Sequence, residues 1–232
     1  MISSSRLTQN LSIVRSKIQH SAQQTGRKIK DIKIVAVTKA FPPEILNLAI
    51  NNNLITIGES RIQEVEKKLK IFKYRNKIEL HLIGHLQRNK VRKAVNYFDI
   101  IQTVDSIKLI EQINQIAKKQ NKTQKIFIQV NISKDPNKFG FSEKNILKAA
   151  EKTTELNNII LKGIMTIPHQ YPSETQLRKM YEKTRKIRNH IQKNIQNKCI
   201  SLSIGMSNDY EIAIREGATH IRIGTALFGE RP

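Results

Sequence analysis

The stretch Lys33-Ile34-Val35-Ala36-Val37-Thr38-Lys39, closed a few residues later by Pro42-Pro43, decides how the chain is read. A short run of apolar, mostly β-branched residues marks a strand buried on both faces, as parallel strands are. Proline suits the first turn of a helix, so the prolines predict a helix running to about residue 51. The same strand-then-helix unit recurs to the end of the chain. Strand-like runs stand at 33–38, 55–59, 79–83, 100–104, 125–132, 160–167, 200–204 and 220–223. Helical patterns stand between them, at 42–51, 62–72, 88–96, 107–119, 143–156, 174–194 and 209–216. Ser142 is placed to cap one of these helices and Gly217 to end another. An amphipathic pattern over 4–24 precedes the first strand. Eight alternations exclude a sandwich, and no Gly-rich dinucleotide turn follows the first strand. The fold expected is therefore α/β, a single TIM (β/α)8 barrel over 1–232. An extra N-terminal helix within 1–27 is expected to pack on the barrel, with no C-terminal β-domain.

The 232 residues are enough for one sizeable core, with 38% hydrophobic residues. No apolar run approaches the roughly 18 residues of a membrane span, and no apolar leader core stands at the N-terminus. One cysteine, Cys199, excludes an intramolecular disulfide and leaves too few thiols for a Cys-rich zinc site, so no metal is expected. A reducing, cytoplasmic setting follows. The formal net charge of +22 has two readings. One is a polyanionic partner, nucleic acid or an anionic membrane surface. The other, preferred here, is compositional drift: Lys, Ile and Asn are abundant throughout, as AT-rich coding produces. Basic residues such as Lys67, Lys118, Lys148, Lys179 and Lys193 are scattered over many helix faces, without interleaved aromatics. Neither specific nucleic-acid binding nor membrane attachment is expected.

Chemistry in such a barrel sits at the C-terminal ends of the strands. The first of those ends is Lys39. A lysine closing a buried strand is costly unless its amine is neutral or covalently occupied, and a neutral amine condenses with an aldehyde to a Schiff base. The last two ends carry the small-residue turns Ile204-Gly205-Met206-Ser207 and Arg222-Ile223-Gly224-Thr225. Barrels of this type often hold phosphate there, on glycine backbone, hydroxyls and helix N-termini. Each turn alone reads equally well as an ordinary capped turn; the pair opposite Lys39 is more specific. Arg222 lies between Ile221 and Ile223, so period two turns it inward if the isoleucines face the helices. A buried guanidinium needs an acceptor. A pyridine nitrogen would serve, and so would an internal carboxylate such as Glu59. An aldehyde, a phosphate and a pyridine nitrogen together describe pyridoxal 5′-phosphate.

Longer segments carry a resemblance. They are Val35-Ala36-Val37-Thr38-Lys39, Gly58-Glu59-Ser60-Arg61-Ile62-Gln63-Glu64, and His81-Leu82-Ile83-Gly84-His85-Leu86-Gln87-Arg88-Asn89-Lys90. Val130-Asn131-Ile132-Ser133 follows, then Gly163-Ile164-Met165-Thr166-Ile167-Pro168 and Leu202-Ser203-Ile204-Gly205-Met206-Ser207-Asn208-Asp209-Tyr210-Glu211. Together with the Arg222–Gly229 region these resemble the pyridoxal phosphate homeostasis protein family over about 31–231, a family whose barrel is similar to the N-terminal domain of alanine racemase. The resemblance implies a pyridoxal phosphate carrier or regulator rather than a catalyst, holding its cofactor as a Schiff base on Lys39. It implies Ser207, Gly224 and Thr225 at the phosphate, Arg222 at the ring nitrogen and Met165 packed near the ring. Lys138 matches the family's second lysine, which contacts or receives the cofactor. Ser60 stands where the family usually has Asn, and a shorter hydroxyl reaches less far. The partners implied are pyridoxal phosphate and apo-enzymes that use it, with a monomeric state. The alternative is a pyridoxal-phosphate-dependent amino-acid racemase or related enzyme of the same fold type. Racemisation needs a base on each face of the substrate. Lys39 would serve one; His85 is the nearest candidate for the other, though a polar loop histidine reads more simply.

Overall fold

In the computed structural model, which describes residues 2–169 and 171–230, the strand ends close on one another as a barrel. Met1, Gln170, Arg231 and Pro232 lie outside the described residues, and with them the outer limits of the expected domain and of the expected family match. The strands are β1 (Lys33–Val37), β2 (Thr56–Glu59), β3 (Glu79–Leu82), β4 (Ile100–Val104), β5 (Gln124–Gln129), β6 (Ile159–Met165), β7 (Ser201–Met206) and β8 (His220–Ile223). All neighbours are parallel, and β1 pairs with β8 in the register Lys33↔His220 and Val35↔Arg222. The helices among the described residues are α1 (Ser4–Gln23), α2 (Ile45–Asn51), α3 (Ile62–Ile71), α4 (Val91–Tyr97), α5 (Ile107–Lys119), α6 (Glu143–Thr154), α7 (Glu174–Asn194), α8 (Tyr210–Arg215) and α9 (Thr225–Phe228).

Each expected strand and helix is present, with shifted ends. β7 starts one residue later than expected and runs on to Met206, through Gly205 at φ 90°. A Cβ on Gly205 would stand 2.5 Å from that of Ala213, so only glycine lets β7 pass this close to α8. β5 ends at Gln129, and only the bridge Val130↔Phe141 continues it. The prolines do open the α2 turn, but as acceptors: Ile45 and Leu46 donate to Pro42 and Pro43 at 3.1 Å. α9 has no counterpart in the sequence reading; four residues are too few for periodicity to register.

α1 buries Leu7, Leu11, Val14 and Ile18, one stripe at helical spacing. Each such side chain contributes about 2 kcal/mol by leaving water. The stripe packs on α8 and α9. Asn10 donates to Leu227 O at 2.8 Å, and Arg27 to Ile214 O and Ala218 O at 3.0 and 2.6 Å. The leading helix thus braces the two elements that follow β7 and β8.

The outer faces of the strands, with Ala36, Ile57, Ile221 and Ile223, join the helices in one apolar core. The interior is different. Ile100, Phe127 and Met165 form a small apolar cluster there. Around it are buried polar residues, His81, Gln102, Ser203, His220 and Arg222. A barrel interior is ordinarily filled with layers of Val, Ile and Leu. Here the His81 and His220 rings lie 5.9 Å apart, and Phe127 meets His220 edge-on at 5.3 Å.

This interior makes stability depend on pH. Burial pushes His220 down to about 3, helped by His81 and Lys33. Burial also lowers His81, against the pull of Glu79. Burial disfavours the charged form of both rings in the fold, whereas an unfolded histidine protonates at about pH 6.5. Below that pH the unfolded chain binds more protons, so stability falls on acidification from about pH 6.5 toward about pH 3. The slope approaches roughly 1.4 kcal/mol per pH unit for each histidine. Urea denaturation at stepped pH is expected to show the midpoint falling below neutrality; a flat midpoint down to about pH 5 would contradict neutral burial.

Candidate functional site at the barrel mouth

Val35 and Val37 face inward: a Cβ built on Gly58 would meet Val35 Cγ1 at 2.9 Å and Val37 Cγ2 at 3.5 Å. Thr38 faces outward, donating to Glu59 Oε1 at 2.6 Å. Period two therefore sends Lys39 inward at the mouth, where it is half-buried. The chain then turns sharply. Ala40 has φ 66°, a left-handed conformation that costs a non-glycine residue energy. Its N–H donates to Glu64 Oε2 at 2.8 Å. On the other flank, Lys68 Nζ reaches Thr38 O at 2.7 Å and Glu59 Oε1 at 2.5 Å. Lys39 is thus set between two residues held by the segment 59–68. Glu59 and Lys68 are both buried. Burial pushes the Glu59 carboxyl up, against the pull of Lys68.

A cavity of about 650 Å³ opens at this mouth, and Lys39, Lys138, Ser207, Arg222, Gly224 and Thr225 all line it. Arg222 enters the barrel and is 4% exposed. Its NH1 donates to Ser203 O and Ser203 Oγ at 2.8 and 2.9 Å, and its NH2 to Thr166 O at 3.0 Å. The carboxylate alternative at Glu59 is not realised, because Glu59 lies on the outer face of β2 with Lys68. Ser207 Oγ accepts from the N–H groups of Gly224 and Ala226, both at 3.2 Å. Those amides open α9 and converge on an oxygen. Ser207→Ala leaves both without this acceptor and is expected to lower stability by about 1 kcal/mol in thermal or urea denaturation.

Asp209 ties down the loop after β7. Its Oδ1 accepts from Met206 N at 2.5 Å and its Oδ2 from the buried Tyr181 hydroxyl at 2.9 Å. Burial and Asp209 together push the Tyr181 phenol up. Lys138 donates to Pro168 O at 2.6 Å, and Asn131 Nδ2 spans the base of its loop, reaching Asp135 O and Lys138 O at 2.7 and 3.0 Å.

Three candidates are placed elsewhere. Met165, fully buried, packs with Ile100 and Phe127 inside the barrel and does not line this cavity. Ser60 lines a neighbouring cavity of about 620 Å³, between the loops after β2 and β3. His85 lines that second cavity too; it stacks on Phe139 at 3.5 Å and lies 3.1 Å from Asp105. Conversely, His169 and Tyr171 line the Lys39 cavity although nothing in the sequence pattern singled them out. They follow β6 in an irregular segment, where residue spacing does not encode direction.

The arrangement offers an amine, paired backbone amides and a buried guanidinium around one open cavity. The family model described as alanine racemase, N-terminal domain, matches residues 13–232. A pyridoxal phosphate homeostasis protein from Aquifex aeolicus is 37% identical over 223 residues, 96% of this chain and 97% of the relative. One from Vibrio alginolyticus is 33% identical over 231 residues, 98% of each chain. The chain belongs to the pyridoxal phosphate homeostasis protein family. Among solved structures, PipY of Synechococcus elongatus without PLP (pyridoxal phosphate) superimposes with a TM-score of 0.87 at 30% identity, covering 96% of this chain and all of that one. PipY with PLP bound gives 0.86 at 28% identity, with the same coverage. Alanine racemase of Clostridium difficile shares the barrel, at a TM-score of 0.76 and 16% identity, over 98% of this chain and 57% of that one. Within the homeostasis family, then, this member presents Lys39 on an open strand-end face.

Proposed function

We propose that this chain binds pyridoxal 5′-phosphate with Lys39 as its covalent anchor, and acts as a carrier and regulator in pyridoxal phosphate homeostasis rather than as a catalyst. One observation carries the reading: Lys39, Arg222 and the Ser207–Gly224–Thr225 group meet around a single cavity. The donor set fits the cofactor. The amides of Gly224 and Ala226, which already converge on the Ser207 hydroxyl, suit a phosphate, with the Thr225 hydroxyl beside them. Arg222 is a permanent donor suited to the ring nitrogen. Lys138 is a second amine lining the same cavity. When bound, pyridoxal phosphate supplies an aldehyde that condenses with amines and a ring that withdraws electrons from them. An arginine at the ring nitrogen keeps that nitrogen unprotonated and weakens the withdrawal, which suits holding the cofactor more than turning over an amino acid.

No helix among the described residues is long and apolar enough to cross a membrane. A cytoplasmic monomer that hands its cofactor to apo-enzymes completes the proposal. The test is to load the protein, remove unbound cofactor, and mix it with an apo-enzyme that needs pyridoxal phosphate. Recovery of that enzyme's activity, together with exchange against added labelled cofactor, is the expected result. Bound cofactor that neither exchanges nor transfers would sink the carrier reading.

The racemase alternative has one observation in its favour: Lys39, Lys138 and His169 face the same cavity, so proton-carrying groups come from two sides of the mouth. Deuterium uptake from solvent at the Cα of alanine, abolished in Lys39→Ala, would establish it.

A further inference from the structure

The polar residues inside the barrel are connected. Arg222 NH1 donates to Ser203 Oγ at 2.9 Å. Ser203 Oγ donates to Gln102 Oε1 at 2.7 Å. Gln102 Nε2 lies 2.6 Å from His81 Nδ1. His81 Nε2 lies 3.3 Å from Glu79 Oε2, which also takes Lys33 Nζ at 2.6 Å. Lys33 and Glu79 begin β1 and β3, whereas Arg222 stands near the far end of β8, at the mouth. The chain of contacts thus runs the height of the barrel and joins five strands.

Its direction is fixed from the Arg222 end; at the other end His81 Nε2 lies near Glu79 Oε2 without hydrogen-bond geometry. A guanidinium only donates and a carboxylate only accepts. Ser203 Oγ receives from Arg222, so its own proton goes to Gln102 Oε1. The amide nitrogen of Gln102 then faces His81 and must donate, which makes His81 Nδ1 an acceptor and puts the ring proton on Nε2, toward Glu79. A proton on Nδ1 would confront the Gln102 amide nitrogen. Turning that amide round would aim its N–H at Ser203 and strip the Ser203 hydroxyl of its acceptor. Each member therefore fixes the next, and burial, which disfavours a charged His81, agrees with this order.

An interior of Val, Ile and Leu would fill the same space without buried polar groups to satisfy. What the polar chain adds is orientation of Arg222, whose guanidinium donates to the neutral acceptors Ser203 O, Ser203 Oγ and Thr166 O. We propose that Ser203, Gln102 and His81 are positioning residues for Arg222, a hydrogen-bond chain of single polarity that sets the guanidinium facing the cofactor ring; this rests on the pyridoxal phosphate reading of the mouth.

The test uses the full chain with added pyridoxal phosphate and compares Ser203→Ala, Gln102→Met and Gln102→Glu with the wild type. Ser203→Ala and Gln102→Met are expected to keep the adduct on Lys39 by peptide mapping, but to shift its visible band. They are also expected to release cofactor about three- to tenfold faster. Gln102→Glu has the same shape and still accepts from Ser203, but its second oxygen cannot donate to His81 Nδ1, so it is expected to move the ring proton to Nδ1 and to shift the visible band with it. Folded Ser203→Ala and Gln102→Met proteins that match the wild type in both would overturn the proposal. Nitrogen NMR of the His81 ring in the wild type, with no cofactor added, is the arm that survives misfolded variants: a neutral Nε2–H ring is expected, and an Nδ1–H ring or an imidazolium at neutral pH would overturn it. Failure of the wild type to form an adduct on Lys39 would instead remove the cofactor reading, and the proposal with it, while leaving the ring tautomer to be read on its own.

Discussion

Lys39→Ala is expected to lose the visible band of bound pyridoxal phosphate and to weaken its retention by about a hundredfold or more, about 3 kcal/mol. The reason is geometric. Val35 and Val37 face inward on β1, Lys39 continues their period just past its end, and the left-handed Ala40 turns the chain away directly after the lysine. No neighbouring residue of β1 can send an amine to the same place. Lys138 lines the cavity as well, but its Nζ donates to Pro168 O at 2.6 Å, which holds it against the loop after β6. A small residual adduct on Lys138 is compatible with this; an undiminished band is not. The variant should fold normally, since truncating a half-buried lysine outside the core changes stability by about 0.5 kcal/mol or less. Absorbance titration and gel filtration of the loaded protein measure both quantities together.

Lys68→Met is expected to have the largest effect on stability, a loss of about 3–5 kcal/mol. Lys68 and Glu59 are 4% and 1% exposed at their side chains and lie 2.5 Å apart. Removing the ammonium leaves a carboxylate buried and unpaired, with Glu59 Oε2 already lacking a hydrogen-bond partner. Tm should fall by about 10 °C for a chain of this size. Burial already raises the Glu59 pKa, and without Lys68 it rises further. An acid whose folded pKa exceeds its unfolded value binds more protons in the fold, so the Lys68→Met deficit should shrink on acidification toward about pH 5. Adding Glu59→Gln should recover much of the loss, because the pair is then removed rather than broken. The same substitution reaches function: Lys68 also holds Thr38 O, next to Lys39, so the rate of adduct formation should fall along with stability. A Tm change under about 3 °C would contradict the burial of this pair.

The barrel was legible because parallel strands covered on both faces are written as apolar runs, and 33–38 is one of eight. The inward turn of Arg222 was legible too, from two isoleucines that do face the helices. Its acceptors were not. Ser203 lies on β7 and Thr166 just past the end of β6, and period two gives a side chain's face without its partner across the barrel. For the same reason Gln102 and His81 read as ordinary strand residues. The Glu59–Lys68 pair joins a strand to the following helix nine positions on, a separation set by the loop rather than by helical period. The lining role of His169 and Tyr171 depends on an irregular loop path. The resemblance implies Met165 near the ring; β6 carries it one step deeper, among Ile100 and Phe127.

Borohydride reduction of the wild-type protein after addition of stoichiometric pyridoxal phosphate, followed by peptide mass mapping, tests the account most directly. One reduced adduct is expected, on the peptide containing Lys39. With a net charge of +22 the chain offers many competing surface amines. An adduct scattered over them, or none, would mean that the barrel mouth does not select the cofactor.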